Sequence, residues 1–426
     1  MKLSDLQANL ELQSIIKDPA IKNDRLTHNI HPYTAKLIPS IPRFIINKYS
    51  KKSSQILDPF CGSGTVLLEA KALGRSAVGI DLNPLASLIS QVKTKQLDII
   101  SLRRAISAVR YKIKTSEEPV CPPIFPNINY WFSEKAINEL AKIKQVIENL
   151  NREVDIDIYN FLLVCLSSII RKSSYADTRI PKTCKSKQMV EKIRKGWAPT
   201  PIDYFDLALE KNLQKMESLL SISEYAGSVN VFTGDARNTS SILRDENVPP
   251  IDLIVTSPPY INAQDYLRSY KLELMWLNLA SWEQIRCLRS EIIGTESVSH
   301  KNCSEYPQTD NKLLADVLEK MWKTKRKLNK QKAHIVNNYF ENMQIVFKEL
   351  FNVTETGGAF CLITGNNTIC EVSIPTFTIL GEIAEKVGFT LMDVYKDEIR
   401  SRLLFPKRNH NCGKIGEEWI AVFLKI

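Results

Sequence analysis

The chain has 426 residues, 44% hydrophobic and 24% charged, an ordinary soluble composition with room for two or three cores. No basic-then-apolar leader opens it, and the longest strongly apolar run, residues 161–170, is too short to cross a bilayer, so a cytoplasmic protein with no membrane partner is expected. Nine scattered cysteines without a Cys-x-x-Cys pair argue against a disulfide framework or a zinc ribbon, and a net charge of +10 favours an anionic partner.

In chain order, the first informative piece is His28-Asn29-Ile30-His31-Pro32-Tyr33-Thr34-Ala35-Lys36. No cysteine or carboxylate ligand set accompanies its two histidines, so no metal is expected. Pro39 and Pro42 precede and open a helix over 43–49. Residues 55–60 form a short apolar run closed by Pro and Gly, which reads as a buried strand. Helical spacing over 65–73 stops at Gly74, a second strand covers 76–81, and Pro84 opens another helix. This β-α-β-α order begins a doubly wound α/β sheet. From 98 to 228 the periodicity is mostly helical, broken at Pro122-Pro123 and between Pro199 and Pro201. Strands return at 228–232 and 251–255. An amphipathic helix covers 338–351, Gly357-Gly358 marks a turn, and a strand follows over 359–363. A helix fills 376–387 and a strand runs over 419–426. The expected organisation is an N-terminal segment with the first half of an α/β core (1–97), a largely helical insertion (98–228) and the second half of the core (229–426), with a further insertion at 261–333.

Between the first strand and helix lies Asp58-Pro59-Phe60-Cys61-Gly62-Ser63-Gly64-Thr65. Gly62 and Gly64 clear side chains where a ligand must approach the backbone, and the helix start beyond them offers free N–H donors to an anion. A carboxylate suits that place, and Asp58 suits an ammonium. Asp81, 19 positions after Gly62 (81 − 62), ends the second strand where an acidic residue fits a ribose diol. The third glycine of the dinucleotide fingerprint is missing, as is the Gly-Lys-Ser/Thr of a P-loop. The segment resembles the cofactor motif of the amino-methylating DNA methyltransferases, which commonly carry Asp-Pro-Phe-x-Gly-Ser-Gly-Thr. That resemblance implies a Rossmann-like methyltransferase core binding S-adenosylmethionine, with Asp81 on the ribose hydroxyls, Leu82 and Asn83 beside the adenine, and Asp235 on the adenine amine. It makes the 28–36 piece a segment closing over the methionine end. The implied cofactor residues are Tyr33, Ala35, Asp58, Phe60, Gly62, Ser63, Gly64, Thr65, Asp81, Leu82, Asn83, Asp235, Ala236 and Thr256.

Thr256-Ser257-Pro258-Pro259-Tyr260 directly follows the strand at 251–255. Two prolines fix φ and remove donors, so carbonyls are left to accept from a base amine. Ser257 adds an acceptor, and Tyr260 offers a flat face for a base. An exocyclic amine is a poor nucleophile because its lone pair is delocalised. Hydrogen bonds through Ser257 and the Pro258 carbonyl would make it more tetrahedral, and the base must leave the helix to get there. Ser257, Pro258, Pro259 and Tyr260 are the candidate catalytic residues. Within the family, Ser-Pro-Pro-Tyr resembles the cytosine-N4 enzymes, and Asp- or Asn-Pro-Pro-Tyr the adenine-N6 enzymes. The family also implies restriction–modification or host defence beside a cognate endonuclease. Many cytosine-N4 enzymes place the Pro-Pro-Tyr motif first, unlike this chain.

Double-stranded DNA is the expected partner. Candidate DNA-binding residues are Arg171, Lys172, Arg179, Lys182, Lys185 and Lys187, with Tyr175 and Trp197 interleaved, then Arg326 and Lys327 beside Trp322, then Arg402 and Arg408. A solvated helix face is the plainer reading of each stretch. Rival functions are an adenine-N6 DNA enzyme, an RNA base-amine methyltransferase and a catalytically silent nucleic-acid-binding protein. The missing third glycine counts against an NAD-dependent dehydrogenase. No Pro-Cys nucleophile exists for cytosine-C5 chemistry.

Overall fold

The computed structural model describes residues 24–34, 36–151, 153–222, 227–261, 266–295, 305–324, 327–398 and 416–426. Ala35, Arg326, Arg402 and Arg408, and the rest of the 400–409 segment, lie outside them, and of Lys327 only the backbone is described.

After helix α1 (Ser40–Tyr49), strand β1 (Gln55–Asp58), helix α2 (Thr65–Ala72), strand β2 (Ser76–Asp81) and helix α3 (Pro84–Thr94) follow in the expected order. Then come six helices: α4 (Ile99–Thr115), α5 (Ile128–Trp131), α6 (Glu134–Leu150), α7 (Ile156–Ile170), α8 (Lys187–Arg194) and α9 (Pro201–Leu219). Pro201 takes the first turn of α9, where its missing N–H costs nothing. The core resumes with β3 (Val229–Thr233), α10 (Thr239–Asp245) and β4 (Ile251–Thr256). A second helical stretch follows: α11 (Tyr266–Ser269), α12 (Lys271–Trp276), α13 (Trp282–Glu291), α14 (Lys312–Lys323) and α15 (Lys327–Val353). The last part is β5 (Thr354–Thr364), the hairpin β6 (Asn367–Ile369) and β7 (Val372–Ile374), α16 (Thr376–Val387), β8 (Phe389–Glu398) and β9 (Glu417–Lys425).

Among the described residues the strands build a seven-stranded sheet in the order β3-β2-β1-β4-β5-β9-β8. The first five are parallel; β9 runs antiparallel to both β5 and β8. The order reverses direction beside β1, which opens a crevice between the ends of β1 and β4, where open α/β sheets bind ligands.

Strand alternation splits the core cleanly. Ile56, Ala77, Leu253, Val255 and Cys361 face α1 and α2, while Leu57, Val78, Ile254 and Phe360 face the layer of α14, α15 and α16. A third core joins α3–α7 and α9 to α11 and α12 and takes in Ile30 and Tyr33, so the start of the second helical stretch shares one interior with the first. No helix among the described residues is long and apolar enough to cross a membrane.

Three expectations need correction. Gly357-Gly358 is not a turn before a strand but part of β5, where the β4 register jumps from Ile251↔Thr354 to Leu253↔Ala359. Gly357 takes φ +82, and a Cβ on Gly358 would lie 2.9 Å from the Glu355 carbonyl oxygen, so a bulge needs both glycines. The helix expected at 338–351 is the longer α15, because its apolar stripe continues through Ala333, Ile335 and Val336. Strand β8 had no sequence reading at all; its Phe389, Val394 and Tyr395 are buried by the sheet and by α16 and α1.

Candidate active site

The loops that leave β1, β2, β3 and β4 meet at the carboxyl edge of the sheet. The Cys61 N–H bonds the Ile80 carbonyl at 3.0 Å and the Gly64 N–H closes back on Cys61 at 2.7 Å. Gly62 and Gly64 adopt φ +50 and +75; a Cβ on Gly64 would sit 2.8 Å from Ser90 Oγ. Neither position accepts a side chain without strain. The N–H groups of Ser63 and Thr65 have no acceptor among the described residues and stand at the start of α2.

Two carboxylates brace this loop. Asp81 accepts from the Gly62 N–H through Oδ2 and from the Asn83 N–H through Oδ1, both at 2.8 Å. Asp58 Oδ1 accepts from Thr256 Oγ1 at 2.7 Å and from the Phe60 N–H at 3.1 Å, tying β1 to the end of β4. Burial raises the Asp58 carboxyl to about 7 against these hydrogen bonds, and burial raises Asp81 to about 6. Two under-solvated carboxylates side by side favour a cation. Asn83 caps α3 through the Leu85 N–H and donates to Tyr33 Oη at 3.3 Å.

Tyr33 is itself buried, with its ring edge 3.8 Å from where a Gly62 Cβ would be. It stacks nearly parallel on Tyr270 at 4.6 Å and on Tyr266 at 6.4 Å. The Tyr270 hydroxyl accepts from the Thr34 N–H at 2.7 Å. The segment carrying Tyr33 is anchored at Glu69 of α2, which is fully buried. Glu69 accepts from His28 and Arg25 at 2.7 Å each and from Arg43 Nε at 2.8 Å. Burial alone would raise the Glu69 carboxyl, but the hydrogen bonds from His28 and Arg43 outweigh it and hold it down at about 2. His28 thus has a structural hydrogen-bond partner, and burial lowers its own pKa; no cluster able to hold a metal occurs among the described residues.

Asp235 lies after β3 as expected, but Oδ1 accepts from the Arg237 N–H at 2.9 Å and both oxygens accept from its guanidinium. That carboxylate is taken up in capping a short 3-10 turn over Ala236–Asn238. Ser257 follows β4, half-buried, with Pro258 buried behind it. The Tyr260 hydroxyl donates to Glu418 Oε1 at 2.8 Å, at the start of β9.

The candidate DNA residues divide. The Arg171 guanidinium is spent on the carbonyls of Ile180 and Pro181, and Arg179 is paired with Asp177 at 2.6 Å. Lys172 sits over the Tyr204 ring at 3.9 Å, and Lys185 over Tyr130 at 3.8 Å and Tyr175 at 4.7 Å. Lys182 is half-buried and Lys187 exposed at the start of α8. Sequence reasoning missed Tyr266 and Tyr270, whose four-residue spacing was the available signal, and Lys271, which lies over Trp131 at 4.5 Å. Lys271 is beside Arg268 and Arg289, and burial and their charges lower its ammonium pKa. Thr183 Oγ1 bonds the Ser269 carbonyl at 2.7 Å, so the basic 171–187 loop abuts the helix carrying Tyr266. Glu418 gave no sequence signal, because its partner is 158 residues away.

The edge offers glycine-lined N–H donors, a paired-carboxylate pocket for a cationic nucleoside and a Pro-Pro-Tyr loop one strand over. These residues fit S-adenosylmethionine: the carboxylates suit its positive charge and ribose, and the free N–H groups suit its carboxylate. Residues 9–91 match the family model described as DNA methylase. The chain is 25% identical to the Type II methyltransferase M.MvaI of Kocuria varians, over 94% of this chain and 90% of that one. The chain is thus similar to the amino-methylating DNA methyltransferases. This chain is also 25% identical to the Type II methyltransferase M.BsoBI of Geobacillus stearothermophilus, over 90% of this chain and 82% of that one. Among solved structures, a SAM-dependent methyltransferase from Methanosarcina mazei covers 90% of this chain and 97% of its own at 10% identity and a TM-score of 0.32, too loose to add to the strand order itself.

Proposed function

We propose that this DNA methyltransferase modifies the N4 amine of cytosine in double-stranded DNA, as the modification partner of a cognate restriction endonuclease. The observation that carries the cytosine reading is Ser257 at the head of the Pro-Pro-Tyr loop, directly after β4. The Type II naming of the relatives supports the restriction–modification role.

Bound at the 58–65 loop, S-adenosylmethionine supplies an electrophilic methyl group on a sulfonium. Asp81 takes the ribose hydroxyls while keeping the Gly62 and Asn83 N–H bonds, since a carboxylate has lone pairs for both. Tyr33 covers the loop at Gly62. Leu82 and Asn83 flank the adenine; Ala236 packs beyond it. Ser257 Oγ and the Pro258 carbonyl accept the two amine hydrogens of the flipped base, which localises the nitrogen lone pair. Tyr260 stacks on that base, with Glu418 fixing the ring by its hydroxyl. The DNA backbone runs over Lys185, Lys187, Lys271, Arg268 and Arg289, a surface made jointly by both helical stretches.

The test is transfer of labelled methyl from S-adenosylmethionine to unmodified duplex DNA, followed by digestion to nucleosides. Labelled N4-methylcytosine is expected, and is lost in Ser257→Ala/Tyr260→Ala. Labelled N6-methyladenine would overturn the reading of Ser257, and label on RNA alone would overturn the substrate.

A further inference from the structure

Lys93, in α3, is fully buried, yet it is a lysine. Among the described residues its ammonium makes one hydrogen bond, to Ser63 Oγ at 3.3 Å, in the glycine loop. Its salt bridges among the described residues are none. A buried lysine with three donors and one neutral partner is costly unless something answers it. The groups around it do not: Lys36, His28 and His31 of the N-terminal segment add positive or neutral character, and Cys61 is a buried thiol. Glu69, the carboxylate that holds His28, is already taken up by Arg25, His28 and Arg43. Ser63 accepts from Lys93, and its own O–H has no acceptor among the described residues.

We infer that Lys93 is a positioning residue that acts through Ser63 on the carboxylate of the amino-acid end of S-adenosylmethionine; the inference rests on the cofactor reading above. Lys93 N–H donates to Ser63 Oγ, and the Ser63 O–H donates to the carboxylate at the start of α2. The cofactor is a zwitterion at this end, and the loop is bipolar to match. Asp58 and Asp81 reach the loop at Phe60 and Gly62, and Lys93 reaches it at Ser63. Burial, with Lys36, pulls the Lys93 ammonium below its usual range, and an arriving anion favours its charged form. The arrangement selects a ligand that carries a carboxylate over one that lacks it.

The experiment is calorimetric binding of S-adenosylmethionine and of its decarboxylated analogue to the full chain, wild type against Lys93→Met, Lys93→Gln and Ser63→Ala. Thermal melts of each variant confirm the fold. Wild type is expected to prefer S-adenosylmethionine by roughly 10- to 100-fold, the scale of a charge-assisted hydrogen bond. The preference collapses to within a few-fold in Lys93→Met and Ser63→Ala, through loss of S-adenosylmethionine affinity alone, and Lys93→Gln restores part of it. A folded Lys93→Met that keeps the full preference overturns the assignment while leaving the cofactor reading intact. Wild type that binds neither ligand overturns both.

Discussion

The two sides of the carboxyl edge are built differently. On the β1–β2 side, the groups that meet are close in sequence and hold one another: Asp81 on Gly62 and Asn83, Ser90 on the Gly62 carbonyl, Cys61 on Ile80. On the β4–β5 side, Tyr260 is held by Glu418 from an antiparallel strand, and its carbonyl lies 2.7 Å from where a Gly294 Cβ would be. The cofactor side is therefore preformed by local chemistry, whereas the target side is assembled from distant segments. A preformed pocket binds without first ordering its own loops, while a site assembled from far-apart segments depends on the whole fold.

The difference can be broken most severely at Glu69. Glu69→Ala leaves Arg25, His28 and Arg43 without their buried partner and is expected to cost about 3–5 kcal/mol of stability, read by denaturant unfolding. Because the folded Glu69 carboxyl lies near 2, below its ordinary 4.5, its contribution is full above pH 4.5 and is lost as pH falls toward 2. Next comes Asp81→Ala, which removes two loop bonds and the ribose acceptor together. Cofactor affinity should fall by about 100-fold or more while DNA binding by gel shift is retained. On the target side, Tyr260→Ala should cut kcat by roughly 100-fold with the cofactor Kd unchanged. Tyr260→Phe, losing only the bond to Glu418, should cost about tenfold or less.

The cofactor side also responds to pH, whereas the target side has, among the described residues, no comparable pair of raised carboxylates in its loop. Burial raises Asp58 to about 7 and Asp81 to about 6, and a cationic ligand needs both ionised. Cofactor affinity should hold from pH 8 to 7, then weaken as pH falls through 7 and 6, by roughly tenfold per unit once a required carboxylate is protonated. The same raised values mean that these two groups oppose folding above pH 7 and relax as they are protonated, so the apo protein should melt slightly higher at pH 6 than at pH 8 by this contribution. An affinity flat from pH 8 to 5 would show that neither carboxylate meets the ligand.

What the sequence made legible follows the same division. The Asp58–Thr65 loop, Asp81 and the Ser257–Tyr260 loop could be read because each is a short run at the end of an apolar strand, and proximity in sequence puts it at the edge. Asp235 also fell where expected, but the neighbouring Arg237 claims its carboxylate, a competition that no spacing reveals. Lys93 drew no reading from the sequence, because its burial depends on the N-terminal segment folding over it. Glu418, Tyr266 and Tyr270 depend on contacts across more than 150 residues of chain, and β8 carried an alternation too mixed to separate from loop. Arg171 and Arg179 read as basic surface, although both are turned onto the local backbone and Asp177.

The most direct measurement of the central claim is nucleoside analysis of DNA from a methylation-free host that expresses this chain, beside the same host carrying Ser257→Ala. The account predicts N4-methylcytosine with the intact chain and none with the variant. N6-methyladenine in place of N4-methylcytosine, or unmodified DNA from cells full of folded, cofactor-binding protein, would contradict it.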